Sequence, residues 1–262
     1  MPYDLLSVYL NLPVFAMVAS RLGGLIMFQP VLNSLSIPLN LRVMFVLALA
    51  ALVTPSVGID AETPVSVGSI AIAMAGEVAL GLMIGTVVMI TFVGLQIGGQ
   101  LIAQQSGLAF GRIADPSTGS QQTVLSVFYV QFGVVTYLII GGHRAVVLAC
   151  LQTFDSIPLL GGVGQALSVD LLFDSLSLGA AVAIRVAAPT VITLFLVNIA
   201  LGFISRTVPQ LNIATVGFTL KSLIAFVIMA VSLPAAMNVY ADQLETVIGW
   251  LDQLTRAPLV GS

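Results

Sequence analysis

The chain has 262 residues, of which 58% are hydrophobic and only 7% are charged. A soluble domain carries about 25% charged residues, so this composition excludes an ordinary water-soluble fold and indicates an integral membrane protein. The net charge is −3, and the eight Lys and Arg residues are spread singly along the chain. Nucleic acid is therefore excluded as a partner, membrane lipid is expected around the chain, and the positive-inside rule assigns no orientation.

The apolar residues fall in blocks, and five of these are close to the length of a helix that spans lipid, namely residues 43–57, 70–93, 124–140, 180–204 and 213–233. In chain order, helices are predicted over residues 5–28 (with Pro13 inside), 39–53, 65–109, 124–140, a shorter piece from Gly141 to Pro158, 161–204 and 213–233, followed by an amphipathic tail over residues 234–262. We predict an all-α fold of long kinked helices and hairpins, with about six hydrophobic segments, that forms a single domain over residues 1–262.

The segment 65–109 contains Glu77 as its only ionisable residue. As one straight helix it would measure about 60 Å, twice the hydrocarbon thickness of a bilayer. It is therefore either a hairpin, with its turn near Gly94, Gly98 or Gly99, or one long bent helix. In both cases we expect protein neighbours to cover it, because irregular backbone in lipid leaves polar groups unpaired and a longer helix projects beyond the membrane.

Glycines at regular spacing within this segment are predicted to support close helix packing. Gly81 and Gly85, and again Gly94 and Gly98, are four residues apart, so each pair lies on one helix face. Gly76 precedes them. We expect these faces to contact helices of partner subunits.

Three charged residues lie within or beside the apolar segments and are candidates for buried charges: Glu77, Arg185 and Asp155. Each would cost about 2.5–3.5 kcal/mol at the centre of a membrane helix, so they are expected to pair or to face a cavity. An ion pair between Glu77 and Arg185 is one solution.

Enzymatic function is not expected, because the sequence contains no HExxH, GxSxG or GxxxxGK[ST] motif. His143 is the only histidine and Cys150 the only cysteine, so no metal site or cofactor is predicted. His143, next to Arg144, is interpreted as a helix-end or interface residue.

Several motifs occur in an order that resembles one known family. They are Arg21-Leu22-Gly23-Gly24, Gly76-Glu77, the stretch from Ile97 to Asp115-Pro116, Gly142-His143, Pro189, and the stretch from Arg206 to Lys221 with Pro209-Gln210-Leu211-Asn212. This order is similar to the FliR family of flagellar type III export-gate proteins, whose counterparts SpaR, YscT and HrcT serve injectisomes.

The resemblance implies a subunit of an export gate in the bacterial inner membrane, at the flagellar basal body. It implies FliP and FliQ homologues as partners in a hetero-oligomer, a FlhB homologue in contact with it, and unfolded export substrates in transit. It also implies a plug within an irregular loop over residues 105–122, formed by Gln105, Ser106, Gly107, Leu108, Ala109, Phe110, Gly111, Arg112 and Ile113.

Two alternatives to an export gate remain open from the sequence. A small-solute secondary transporter would use Glu77, Arg185 and Asp155 as a site at the membrane midplane. A purely structural scaffold would have no part in gating.

Overall fold

The computed structural model describes residues 5–31, 37–57, 67–109, 123–159, 169–207 and 213–256. Within these ranges the chain is helical and contains no strand, which confirms the predicted all-α class. The helices are α1 (Leu5–Phe28), α2 (Leu39–Val53), a 3-10 turn (Thr54–Ser56), α3 (Val67–Ser106), α4 (Val124–Ile140), α5 (Gly142–Ser156), α6 (Val169–Thr207) and α7 (Ile213–Arg256).

Proline and glycine set several helix boundaries as the sequence predicts. Pro38 precedes α2, and Pro55 lies in the 3-10 turn that follows it. Gly141 separates α4 from α5 and has a φ of +78°, which glycine adopts without steric cost.

Helix α3 is one continuous helix of 40 residues. The alternative of a hairpin turn near Gly94, Gly98 or Gly99 is therefore wrong. Helix α6 is also continuous, over 39 residues, although it contains Pro189. Each of these helices is about 60 Å long, twice the thickness of the hydrocarbon core.

Four helical segments in the described ranges are long and apolar enough to cross a membrane, and they are Leu39–Ser56, Gly68–Ser106, Val169–Thr207 and Thr215–Leu254. By length and composition, α4 and α5 together can provide one further span, and the apolar part of α1, Leu12–Phe28, is shorter. These segments agree with the prediction of about six hydrophobic segments in an integral membrane protein.

The amphipathic tail predicted after residue 233 is not separate from the last helix. Helix α7 continues through Pro234 to Arg256, because its apolar side chains remain in register with a buried face. Tyr240, Leu244, Val247 and Leu251 are buried and recur at helical spacing along that face.

The chain divides into two compact units. The first comprises Met1–Ile90, Gly141–Leu176 and Leu244–Ser262. Its apolar core includes Leu80, Met83 and Ile157, with Leu171, Leu172 and Leu254 packed against them.

Helices α1 and α3 approach each other closely in the first unit because glycines lie at their crossing. A Cβ on Gly24 would lie 2.5 Å from the Val78 carbonyl oxygen, and a Cβ on Gly81 would overlap the Arg21 carbonyl. A Cβ on Gly85 would lie 2.8 Å from the Leu25 carbonyl oxygen. The expectation that the Gly81 and Gly85 face meets a partner subunit is therefore wrong, because α1 of the same chain occupies that face.

The second unit comprises Thr91–Ile140 and Ser177–Gln243. A Cβ on Gly94 would lie 2.5 Å from the Gly179 carbonyl oxygen, and a Cβ on Gly98 would lie 3.1 Å from the Ala183 carbonyl oxygen. The Gly94 and Gly98 face thus packs on α6 of the same chain, which again replaces the expected partner subunit.

Further contacts complete the packing of the second unit. Gly99 lies against α4, where an added Cβ would be 2.5 Å from the Cα of Ser126. The Phe92 ring makes edge contacts with Tyr137 and Tyr240, at centroid distances of 5.5 and 5.6 Å. The glycine ladder of α3 is therefore used for packing within the chain, although Gly76 is only partly buried.

Candidate functional site

The predicted plug segment begins where α3 ends. Ser106 is the last helical residue, and its hydroxyl donates to the Ala103 carbonyl at 3.2 Å. Gly107 follows with a φ of +84°, and its N–H donates to the Gln104 carbonyl at 3.3 Å. A left-handed glycine at this position is a common helix terminator, because it redirects the chain while the last carbonyls keep hydrogen-bond partners.

The next two residues of this segment, Leu108 and Ala109, are partly buried in a turn. The Ala109 N–H donates to the Ala103 carbonyl at 3.1 Å. The remaining predicted plug residues, Phe110, Gly111, Arg112 and Ile113, lie outside the described residues, as does the rest of the loop to residue 122.

An open groove of about 520 Å³ runs beside the end of α3 in the second unit. Its walls are Leu101, Gln104 and Gln105 of α3 and Ile184, Ala187, Ala188, Val191 and Ile192 of α6. The two glutamines are the polar members of an otherwise apolar lining. Gln105, the first residue of the predicted plug segment, therefore faces an apolar groove of its own chain.

A buried ion pair lies in the first unit, between α1 and α3. Arg21 and Glu77 both have no exposed side-chain surface, and the Arg21 Nε–H donates to Glu77 Oε2 at 2.5 Å. The pair joins the solitary basic residue of α1 to the solitary ionisable residue of α3.

The remaining Arg21 donors reach α5 and the residue that follows it. Nη1 donates to Thr153 Oγ1 at 2.9 Å, and Nη2 donates to the Ile157 carbonyl at 3.1 Å. The guanidinium also stacks over the Phe154 ring, 4.2 Å from its centroid. We refer to Arg21, Glu77, Thr153, Phe154 and Ile157 as the arginine cluster.

The arginine cluster can hold three chain segments in one arrangement, because a planar guanidinium has donors in fixed directions. A buried charge without a partner is costly, so the cluster penalises any arrangement that separates α1, α3 and α5. The role that this arrangement supports is structural: the arginine cluster stabilises the packing of these three helices. Within the described ranges, no group of three or more His, Cys, Asp or Glu side chains is placed to hold a metal ion.

The partner of Glu77 is Arg21 and not Arg185, which the sequence offered as one solution. Glu77 is buried as predicted, but Arg21 neutralises it, whereas Arg185 and Asp155 are exposed on the surface of the chain. Of the three candidates for buried charges, only Glu77 is therefore buried within this chain. Arg185 and Asp155 lie on the solvent- or neighbour-facing side of their helices.

The other predicted motif residues are placed in different ways. His143 is exposed near the start of α5, one residue after the buried Gly142, and Pro189 is exposed within α6. Asp115, Pro116, Pro209, Gln210 and Asn212 lie outside the described residues.

Sequence reasoning missed Thr153, Phe154 and the Ile157 carbonyl as partners of Arg21. A signal for the ion pair itself was present, because α1 and α3 each contain one charged residue of opposite sign in an apolar helix. The Thr153 hydroxyl, the Phe154 ring and the Ile157 carbonyl could not be identified in this way, because groups of these kinds are common in helices.

Residues 12–247 match the family described as bacterial export proteins, family 1, a range that begins within α1 and ends within α7. The chain belongs to this family of bacterial export proteins.

Named relatives of this export protein cover nearly its whole length. It is 27% identical over 235 residues to the flagellar biosynthetic protein FliR of Caulobacter vibrioides, covering 88% of this chain and 92% of the relative. It is 27% identical over 245 residues to FliR of Bacillus subtilis, covering 89% and 93%. It is also 27% identical over 248 residues to the surface presentation of antigens protein SpaR of Shigella flexneri, covering 93% of each chain.

The family result bears on three predictions. The resemblance to the FliR family, with SpaR as a counterpart, is confirmed. Bacterial export proteins are not an enzyme family, in agreement with the expectation that this chain is not an enzyme. The apolar helices of this export protein embed it in a membrane.

Proposed function

We propose that this chain is a subunit of the type III protein export apparatus in the bacterial inner membrane. The observation that supports this most is the family match over residues 12–247, together with relatives named flagellar biosynthetic protein and surface presentation of antigens protein. In this proposal the chain assembles with FliP and FliQ homologues into an export gate at the basal body and is contacted by a FlhB homologue. Unfolded substrate proteins then pass through the gate.

The surface of the chain supports a role among neighbours. Large apolar side chains are exposed on α2, α4, α6 and α7, including Leu52, Ile139, Phe203 and Val231. Helix α3 is more deeply buried than the other long helices, since 61% of its most apolar 18 residues are buried within the chain. The helices other than α3 therefore provide the surfaces that lipid and partner subunits can cover.

The plug is the second part of the proposal. The proposed plug begins with Gln105 and Ser106 in the last turn of a continuous 40-residue helix, and the left-handed Gly107 turns the chain directly after it. Leu108, Phe110 and Ile113 supply apolar groups that exclude water from a closed channel. The groove beside Gln105 provides an apolar surface at the base of this segment.

Purification from native membranes tests the assembly. A tagged copy of the full chain, expressed from its own locus, is expected to bring FliP and FliQ homologues with it, and loss of the gene is expected to stop secretion of export substrates. Recovery of the chain alone, with secretion unchanged, would contradict the proposed role.

Deletion of residues 108–113 tests the plug within the assembled complex. We expect the complex to assemble and to leak ions, measured as the membrane conductance of cells that express it. A deletion of similar length within residues 58–66, a stretch between α2 and α3 that contains Asp60 and Glu62, provides the matched control. A tight membrane after deletion of residues 108–113 would remove the plug but leave the export role in place.

The transporter alternative loses support because its acidic residue Glu77 is neutralised within the arginine cluster. Liposomes that contain this chain alone are expected to show no flux of small solutes.

A further inference from the structure

A second open pocket lies between α6 and α7, within the second unit. Its volume is about 280 Å³. The lining combines three polar side chains with apolar residues and glycines, and it consists of Asn198, Leu201, Gly202, Ser205, Gly217, Phe218 and Lys221. We refer to it as the Lys221 pocket.

The polar groups of the Lys221 pocket are available to a ligand. Among the described residues, Lys221 makes no ion pair and the Asn198 side chain makes no hydrogen bond. The Ser205 hydroxyl donates to the Gly202 carbonyl of its own helix at 2.7 Å, and rotation of the hydroxyl would let it donate to a ligand. The pocket therefore presents one positive charge and further donors, which is the chemistry that binds an anion.

Two glycines line the Lys221 pocket and leave space in it, because they have no side chain. A Cβ on Gly202 would meet no atom within 4 Å, and a Cβ on Gly217 would lie 3.3 Å from Leu201 Cδ1. A larger side chain at either position would extend into the space in front of Lys221.

The surroundings of the pocket are apolar and exposed. On α6, Ile199 and Phe203 are 44% and 68% exposed, and on α7, Leu220 and Leu223 are 39% and 62% exposed. Both helices are candidate membrane spans. A lysine in such a helix requires an anionic partner or access to the headgroup region. Arg206, exposed next to Ser205, adds a second positive charge at the same end of α6.

A ligand with an anionic head and apolar tails satisfies both the pocket and its surroundings. We propose that the Lys221 pocket binds the phosphate of an anionic phospholipid, with Lys221 as counter-ion, Asn198 as donor, and acyl chains along the exposed faces of α6 and α7. Basic pockets between membrane helices bind lipid headgroups in this manner.

Native mass spectrometry of the full-length chain tests this proposal, with phosphatidylglycerol and phosphatidylcholine supplied at equal concentration. The wild-type chain is expected to retain phosphatidylglycerol in preference to phosphatidylcholine. Lys221→Gln is expected to lower phosphatidylglycerol retention about fivefold, since one basic residue near a membrane surface contributes about 1 kcal/mol to the binding of anionic lipid.

Matched variants distinguish lipid binding in the Lys221 pocket from a general effect of positive charge on the chain. Lys221→Arg is expected to retain the lipid, and Arg144→Gln, which removes an exposed charge from α5, is expected to leave retention unchanged. Gly217→Leu keeps Lys221 but fills the pocket, so it is expected to lower retention as well. Equal retention by wild type, Lys221→Gln and Gly217→Leu would overturn the proposal.

Two further measurements distinguish other anions from a lipid. If inorganic phosphate at the lipid's own concentration displaces phosphatidylglycerol, the pocket binds free phosphate and the lipid assignment is wrong. If a carbodiimide cross-links Lys221 to a carboxylate of a co-purified protein and no phospholipid is retained, a protein side chain occupies the pocket and the assignment is again wrong. Neither result depends on whether the chain acts in protein export.

Discussion

Replacement of Arg21 by methionine is expected to destabilise the first unit strongly. Methionine is unbranched and apolar and carries no charge, so the Glu77 carboxyl would remain buried without its partner. The Ile157 carbonyl would also lose the Arg21 donor, and Thr153 would keep only its bond to the Cys150 carbonyl. Removal of one member of a buried ion pair costs about 3–5 kcal/mol, and we expect a loss of that size.

The assay is reversible unfolding of the purified full-length chain in mixed micelles with increasing denaturing detergent. Wild type, Arg21→Met, Glu77→Leu and the double variant form a double-mutant cycle. Because two apolar residues can replace a buried ion pair at little cost, the double variant is expected to recover most of the stability that either single variant loses. Arg185→Met, at an exposed position of α6, serves as the control and is expected to change the stability by less than about 0.5 kcal/mol.

Two outcomes would refute this reasoning. If Arg21→Met costs less than about 1 kcal/mol, the arginine cluster does not hold its helices together. If the double variant loses the sum of the two single effects, Arg21 and Glu77 are not coupled, whatever their separation.

Three further substitutions test the backbone and the packing of α3. Gly81→Ala places a Cβ on the Arg21 carbonyl and is expected to lower the free energy of unfolding by about 1–3 kcal/mol. The matched control is Gly249→Ala, where an added Cβ meets no atom within 4 Å, and it is expected to be neutral or stabilising by up to about 1 kcal/mol. Equal effects of the two substitutions on stability would contradict the close crossing of α1 and α3. Gly141→Ala also has open space around its added Cβ, but residue 141 has a φ of +78°. Backbone strain alone is therefore expected to lower the free energy of unfolding by about 1–2 kcal/mol. An unchanged unfolding midpoint would show that residue 141 joins α4 and α5 in another backbone conformation. Gly94→Leu, whose side chain would be directed at the Gly179 carbonyl, is expected to reduce the yield of the purified chain even without partner subunits. If the yield falls only for the assembled complex, the result would support the partner-subunit interface that the sequence predicted.

Much of the secondary structure could be predicted because its causes are local. The apolar blocks and the turn residues Pro38, Pro55 and Gly141 lie at or beside the observed boundaries. The prediction failed at residue 233, where a separate amphipathic tail was expected to follow the last helix, because α7 continues to Arg256. A proline is tolerated inside a long helix when the helix on both sides of it remains packed, as the buried Ala225 and Tyr240 show for α7.

The glycine ladder shows a different limit. Its spacing predicted faces for close helix approach, and the structure has backbone carbonyls of other helices against those faces. The sequence could not identify the approaching helix, because a glycine allows the backbone of any neighbouring helix to come close. We expected another subunit, whereas α1 and α6 of the same chain fill these positions.

The sequence by itself determined the class of the protein, the positions of most of its helices and its family. These properties follow from the composition of each segment and from the order of motifs, and neither requires knowledge of distant contacts. Tertiary structure alone decided that Glu77 pairs with Arg21, that Thr153 and the Ile157 carbonyl complete the cluster, and that Arg185 lies exposed. The physical reason is that a buried charge requires some partner of opposite sign, but which of several candidates reaches it depends on how the helices cross.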